Sequence, residues 1–142
     1  MKPRSTPARA WALGLVIGLA VTVGAACSPE DEAAVAAFLA AHKAQSDQIA
    51  ARTAGGPSDA VLARLRNCES HGNYAVVSKS GKYRGAYQFS QSTWNSTAKN
   101  FLPSYVGVDP AKAPPHIQDA MARVLWKHSG PSPWPHCGPR AS

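Results

Sequence analysis

The stretch Asn67-Cys68-Glu69-Ser70-His71-Gly72-Asn73-Tyr74 joins two kinds of sequence pattern. Upstream, Ser58 is placed to cap a helix running through about Cys68, with Val61, Leu62 and Leu65 on one side. Downstream, residues 74–78 and 83–89 read as two short strands, with Lys79-Ser80-Gly81-Lys82 as the turn between them. Ser90 then caps a second helix, which carries Trp94. After a loop interrupted by Pro103, Pro110 and Pro114, Pro115 opens a third helix. In it Ile117, Met121, Val124, Leu125 and His128 recur at helical spacing, and Gly130 is the stop. Helices outnumber strands, so residues 58–138 are expected to form a small α+β domain with a short hairpin.

A domain of that size seldom supplies enough core by itself, and a covalent staple is expected. The chain has 142 residues and three cysteines, of which Cys68 and Cys137 sit near the two ends of the domain. A bridge between them would close a long loop and stabilise by roughly 4 kcal/mol on the loop-entropy account. The histidines have no short paired spacing, so no metal site and no cofactor is implied.

The third cysteine belongs to a different segment. Lys2, Arg4 and Arg9 precede a run from Trp11 to Ala26 that holds no charge and closes on Gly24, Ala25 and Ala26. A basic start, a short apolar run and small residues at its end have the layout of a secretory leader over residues 1–27. Val23-Gly24-Ala25-Ala26-Cys27 resembles the lipobox of bacterial lipoproteins, with Gly24 where Leu is usual. That resemblance implies acylation of Cys27 and an anchor on the outer face of the membrane. Plain cleavage near Ala26, releasing an exported soluble protein, is the other reading.

Residues 28–57 form an Ala-rich segment, expected to be a helical spacer that partly docks on the domain. Ser28 and Pro29 are set to start its helix, acids Glu30, Asp31 and Glu32 favour its first turn, and Val35, Phe38, Leu39, His42 and Ile49 give a broken apolar stripe. From Pro57 onward ten basic residues face four acidic ones, a net of +6, while the whole chain carries +7. With 44% apolar residues the chain is no disordered acidic tail, and no nucleic-acid motif is visible. A diffuse cationic surface on an exported protein suits an anionic envelope polymer. Residues 139–142 read as a tail.

Glu69 is the only glutamate from Pro57 onward. A carboxylate at a helix C-terminus meets the negative end of the dipole, which disfavours ionisation. If apolar walls also desolvate it, it keeps a proton near neutral pH, as a general acid must. Arg66 one turn earlier and the basic background pull the other way. Position alone also fits an ordinary solvated glutamate.

Cys68-Glu69-Ser70-x-Gly72-Asn73-Tyr74, Tyr83-x-Gly85-x-Tyr87-Gln88-Phe89-Ser90-x-x-Thr93-Trp94, Gln118 and Trp134-Pro135-x-Cys137 together resemble the transglycosylase-like domain of actinobacterial resuscitation-promoting factors. The resemblance implies a lysozyme-like fold, mainly helical with a short β-hairpin and closed by one disulfide. It also implies cleavage of the β-1,4 bond between N-acetylmuramic acid and N-acetylglucosamine in peptidoglycan. On it, Glu69 is the catalytic residue, Cys68 and Cys137 are the bridge, and Tyr74, Tyr87, Gln88, Thr93, Trp94 and Gln118 are candidates for holding the glycan. The bare residues leave core packing open for the three aromatics and a satisfied amide open for Gln88. The chain departs from the family at His71, where Gly is frequent, at Tyr74, where Trp is, and at Arg84.

Glycosidases usually flank the bond with two carboxyl groups. Asp59 opens the helix that Glu69 ends, roughly 15 Å away at the helical rise, and Asp109 and Asp119 lie in no catalytic block. A single-acid route to a 1,6-anhydro product, that of a lytic transglycosylase, is therefore favoured over hydrolysis by a muramidase, which stays open. A monomer acting on glycan strands is expected, with a wall peptidase as a partner. The alternative is a non-catalytic lipoprotein that keeps the fold and binds cell wall or a partner.

Overall fold

A computed structural model describes residues 29–142. The expected leader over residues 1–27, acylation of Cys27 and capping by Ser28 lie outside the described residues. The elements follow the chain as α1 (Pro29–Thr53), α2 (Asp59–Ser70), β1 (Tyr83–Arg84), β2 (Phe89–Ser90), α3 (Gln91–Phe101), α4 (Pro115–Ser129) and a short α5 (Gly138–Ala141). Two single 3₁₀ turns, Pro103–Tyr105 and Pro110–Lys112, occupy the proline-rich connection. The helix starts are those the caps dictate. Ser58 Oγ accepts the Val61 N–H at 3.4 Å, and Ser90 Oγ accepts the Thr93 N–H at 3.2 Å.

The strands differ from expectation. Residues 74–78 and 83–89 do not pair along their length; only Val77 bridges Arg84, between the hydrogen bonds Gly85 N–H to Val76 O and Ser78 N–H to Tyr83 O, both 2.8 Å. The antiparallel ladder is instead Tyr83–Ser90 and Arg84–Phe89. A second reversal inside the expected strand causes this: Gly85 has φ of 77° and Gln88 has φ of 50°, both left-handed, and the Gln88 N–H closes on Gly85 O at 3.1 Å.

The core gathers Leu62 and Leu65 of α2, Tyr87 and Phe89 of the hairpin, Trp94, Ala98 and Phe101 of α3, and Ile117, Met121 and Val124 of α4. Leu125 packs at its edge, while His128, expected on the same stripe, is exposed. Phe89 meets Trp94 and Trp134 edge-on at 5.4 and 6.0 Å between ring centroids, and Trp126 stacks on Trp134 at 5.8 Å. Both buried indoles find acceptors, Trp94 Nε1 at Tyr105 O and Trp134 Nε1 at Tyr87 O.

Cys68 and Cys137 are bonded, with Cα atoms 5.7 Å apart, which fastens the end of α2 to the C-terminal segment. The expected tail is docked: Ala141 is buried and its carbonyl accepts Nε and Nη2 of Arg64 at 3.0 and 2.7 Å. At the other end α1 touches α4, and Arg52 Nη1 reaches Phe101 O at 2.8 Å. Only the last part of α1 is covered. Val35, Phe38 and Leu39 are exposed, Phe38 at 62%. The result is a small lysozyme-like α+β domain, mainly helical, with a two-stranded hairpin and one disulfide.

Candidate active site

Four acids lie in the domain, and the structure treats one of them differently. Asp109 takes Arg84 Nε and Nη2 on its two oxygens, each at 2.6 Å, and also accepts the Ala111 N–H at 3.0 Å. The Arg84 guanidinium is the main reason the Asp109 carboxyl sits below the usual carboxylate range. Asp119 Oδ1 receives the hydroxyls of Tyr87 and Tyr74 at 2.7 and 2.8 Å and Arg66 Nη1 at 3.2 Å. Asp59, at the start of α2, pairs with Arg123.

Glu69 has no such partner. Half-buried in the last turn of α2, its carboxylate forms no hydrogen bond or ion pair with any described side chain. Burial lifts its proton affinity above the ordinary glutamate value, and a positive charge on His136 opposes that rise. The local sequence explains the placement. His71 and Gly72 both take left-handed φ, 54° and 80°, and their N–H groups close the helix onto Asn67 O and Arg66 O. Ser70, just after the acid, is buried and its hydroxyl bonds Arg66 O and Ala86 O at 3.0 and 2.9 Å. Cys68, just before it, is held by the disulfide. Glu69 is thus fixed from both sides through its neighbours while its own oxygens stay open.

The other expected site residues separate into two groups. Tyr87 and Trp94 are fully buried and Gln118 is 1% exposed, so these three present no face to a glycan. Burial moves them from the expected binding set to the core and its scaffold. Gln118 spans three segments: Oε1 accepts the Ala86 N–H at 2.9 Å, and Nε2 donates to Ala113 O at 2.8 Å and Tyr74 O at 3.1 Å. Tyr74, Gln88 and Thr93 keep partial exposure. Tyr74 lies against Arg66, 5.8 Å from ring centroid to guanidinium, and burial followed by its bond to Asp119 pushes its hydroxyl up to about 12. Gln88 stands in the turn rather than on a strand, its Nε2 donating to Gly85 O at 2.9 Å. Thr93 Oγ1 meets Ser90 Oγ at 2.9 Å in the first turn of α3.

Arg66, Asp119 and His136 were not singled out as site residues from the sequence. Arg66 is legible as a helical neighbour of Glu69, but its pairing with Asp119 joins residues 53 apart, and nothing local announces it. Two cavities stand away from Glu69: one of about 610 Å³ under Arg52, Phe101, Leu125 and His128, and one of about 550 Å³ beside Lys82, Arg84 and Gln91.

Residues 56–137 match the transglycosylase-like domain family, and the chain belongs to that family. It is similar to proteins described as probable transglycosylase SceD. The one from Staphylococcus haemolyticus is 41% identical over 73 residues, 51% of this chain and 30% of the relative. The one from Staphylococcus epidermidis is 41% identical over 73 residues, 51% of this chain and 32% of the relative. The one from Staphylococcus aureus is 41% identical over 76 residues, 54% of this chain and 32% of the relative. The chain therefore spans about a third of the length of these relatives. No solved structure matches it.

Proposed function

We propose that the domain cleaves the β-1,4 bond between N-acetylmuramic acid and N-acetylglucosamine in peptidoglycan as a lytic transglycosylase, with Glu69 as its acid and then its base. One observation carries the reading: among the four acids of the domain, Glu69 alone has neither an arginine nor a hydroxyl on its oxygens, and burial favours its protonated form. The protonated carboxyl gives its hydrogen to the bridging oxygen as the bond from that oxygen to the muramyl anomeric carbon breaks. The N-acetylglucosamine end leaves as an alcohol. The carboxylate so formed then takes the hydrogen of the muramyl 6-hydroxyl while its oxygen bonds to the anomeric carbon. A 1,6-anhydro ring results, Glu69 ends protonated, and no water is consumed.

A partner carboxylate for hydrolysis is missing from this scheme because Asp109 and Asp119 are engaged by arginine and tyrosine and Asp59 sits at the far end of α2. Tyr74, Gln88 and Thr93, the expected binding residues that keep exposure, are the ones assigned to the glycan. The disulfide suits a protein that works outside the reducing cytosol, in keeping with export by the leader and retention through Cys27, with residues 28–57 as the spacer. Purified cell walls provide the test. The protein should lower their turbidity, Glu69→Gln should not, and mass spectrometry should find 1,6-anhydromuramyl ends. Hydrated reducing ends alone would refute the intramolecular route, and undiminished clearing by Glu69→Gln would remove the acid.

A further inference from the structure

Arg66 and Glu69 stand three residues apart on α2, a spacing that makes helical side chains neighbours. An arginine free to turn toward the acid would pair with it and hold it ionised. The structure shows Arg66 committed elsewhere. Its Nη1 donates to the Tyr87 hydroxyl at 2.9 Å and to Asp119 Oδ1 at 3.2 Å. The guanidinium lies between the rings of Tyr74 and Tyr87, 5.8 and 5.9 Å from their centroids. Asp119 is aimed in turn: both tyrosine hydroxyls donate to the same oxygen, and it follows Gln118, whose amide is locked to three segments.

We propose that Asp119 is a positioning residue for the acid: its carboxylate holds and neutralises Arg66, so that a permanent positive charge beside Glu69 neither pairs with it nor keeps it ionised. The inference deepens the proposed function and rests on Glu69 being the acid. Arg66 shares the helix of Glu69, Asp119 of α4 and the hydroxyl groups of Tyr74 and Tyr87 gather on or behind Arg66, His71 follows the helix end, and His136 of the C-terminal segment bears on Glu69. Arg64 is turned to the carbonyl of Ala141. The bonds of Arg66 Nη1 aim it at Tyr87 and Asp119 rather than at Glu69. A neutral amide at position 119 would still accept the two tyrosine hydroxyls, so scaffolding alone does not require a carboxylate there. Cancelling the charge on Arg66 does.

The test is a titration of the Glu69 side chain itself. The chain has three glutamates, Glu30, Glu32 and Glu69, so carbon-13 labelling of glutamate carboxyls gives three signals, and Glu69→Gln assigns the one that matters. Asp119→Asn should lower the Glu69 midpoint and shift the alkaline limb of the wall-clearing profile to lower pH. On that limb the variant should be roughly tenfold less active than its parent, the effect of one close opposite charge. Adding Arg66→Gln should restore both readings. An unchanged midpoint and limb in Asp119→Asn, or no restoration by Arg66→Gln, overturns the inference. If Asp119→Asn does not fold, Arg66→Gln alone decides: it leaves Asp119 charged, so the Glu69 midpoint must rise, and a fixed midpoint overturns the inference equally. The titration answers for Asp119 whether or not Glu69→Gln abolishes clearing, so failure of the acid assignment is read separately.

Discussion

Glu69 near the end of α2 and Gln118 near the start of α4 are both polar side chains turned in from solvent, and the fold treats them in opposite ways. Gln118 satisfies its acceptor and both of its donors, and through them ties together the hairpin turn, the loop after α2 and the proline-rich connection. Glu69 satisfies nothing, though Cys68 and Ser70 on either side of it are fixed. A buried amide lowers the free energy of the fold only when every one of its bonds is made. A buried acid that must release and recover a proton works only when they are not. One residue holds the framework at its own energetic gain, and the other is held by the framework at a loss.

The sharpest way to break this contrast is Glu69→Gln, which keeps the shape and removes the proton. Cleavage of cell walls should fall by at least about a hundredfold, the usual contribution of a positioned acid. Activity of the parent should decline as pH rises through the elevated Glu69 midpoint, because the protonated form does the work. The substitution should change stability in the opposite sense to activity. A carboxyl whose folded proton affinity exceeds its unfolded one stabilises below the unfolded value, and that contribution is lost as pH rises through the folded one. Thermal denaturation at neutral pH should therefore show Glu69→Gln above the parent, while at pH 3 the two should converge. A parent that is the more stable at neutral pH would mean that Glu69 has partners.

Gln118→Ala tests the other side of the contrast. It leaves the Ala86 N–H and the carbonyls of Tyr74 and Ala113 without their partner inside the protein. Urea unfolding should register a loss of about 3 kcal/mol, from unpaired buried polar groups and the space left behind. Gly85→Ala should cost about 2 kcal/mol, since φ of 77° resists a side chain and its methyl would press on the Gln118 amide. Because the two changes strike one contact, the double variant should lose less than the sum of the singles. Strict additivity would show that Gly85 is required for its φ alone.

These residues also show how far the sequence speaks. Helix starts were legible because a cap is local: Ser58, Ser90 and Pro115 act on backbone within four residues of themselves. The disulfide was legible from the count and placement of cysteines. The strands were not, because alternation from residue 83 to 89 looks the same whether or not Gly85 and Gln88 turn left-handed in its midst. Tyr87 and Trp94 fitted sugar contacts and core packing equally well, and only the packing of α2, α3 and the hairpin around them decides for the core. As for Glu69, its residue type and its helix end were readable. Its isolation was not, since that depends on Arg66 being taken by Asp119 on a distant helix.

The smallest expected effect asks whether strain at the end of α2 is part of the device. His71 holds φ of 54° with no glycine to ease it, which costs about 1 kcal/mol for an ordinary side chain. Glycine there removes the strain but adds freedom to the unfolded chain, so His71→Gly should gain no more than about 1 kcal/mol. The His71 N–H still reaches Asn67 O, so the helix should end where it does now. If thermal denaturation shows the gain and wall clearing is unchanged, the strain is incidental and Glu69 is placed by the disulfide and Ser70 alone. If stability rises while clearing falls, the left-handed histidine is part of what aims the acid, and the contrast with the relaxed, fully bonded Gln118 extends from side chain to backbone.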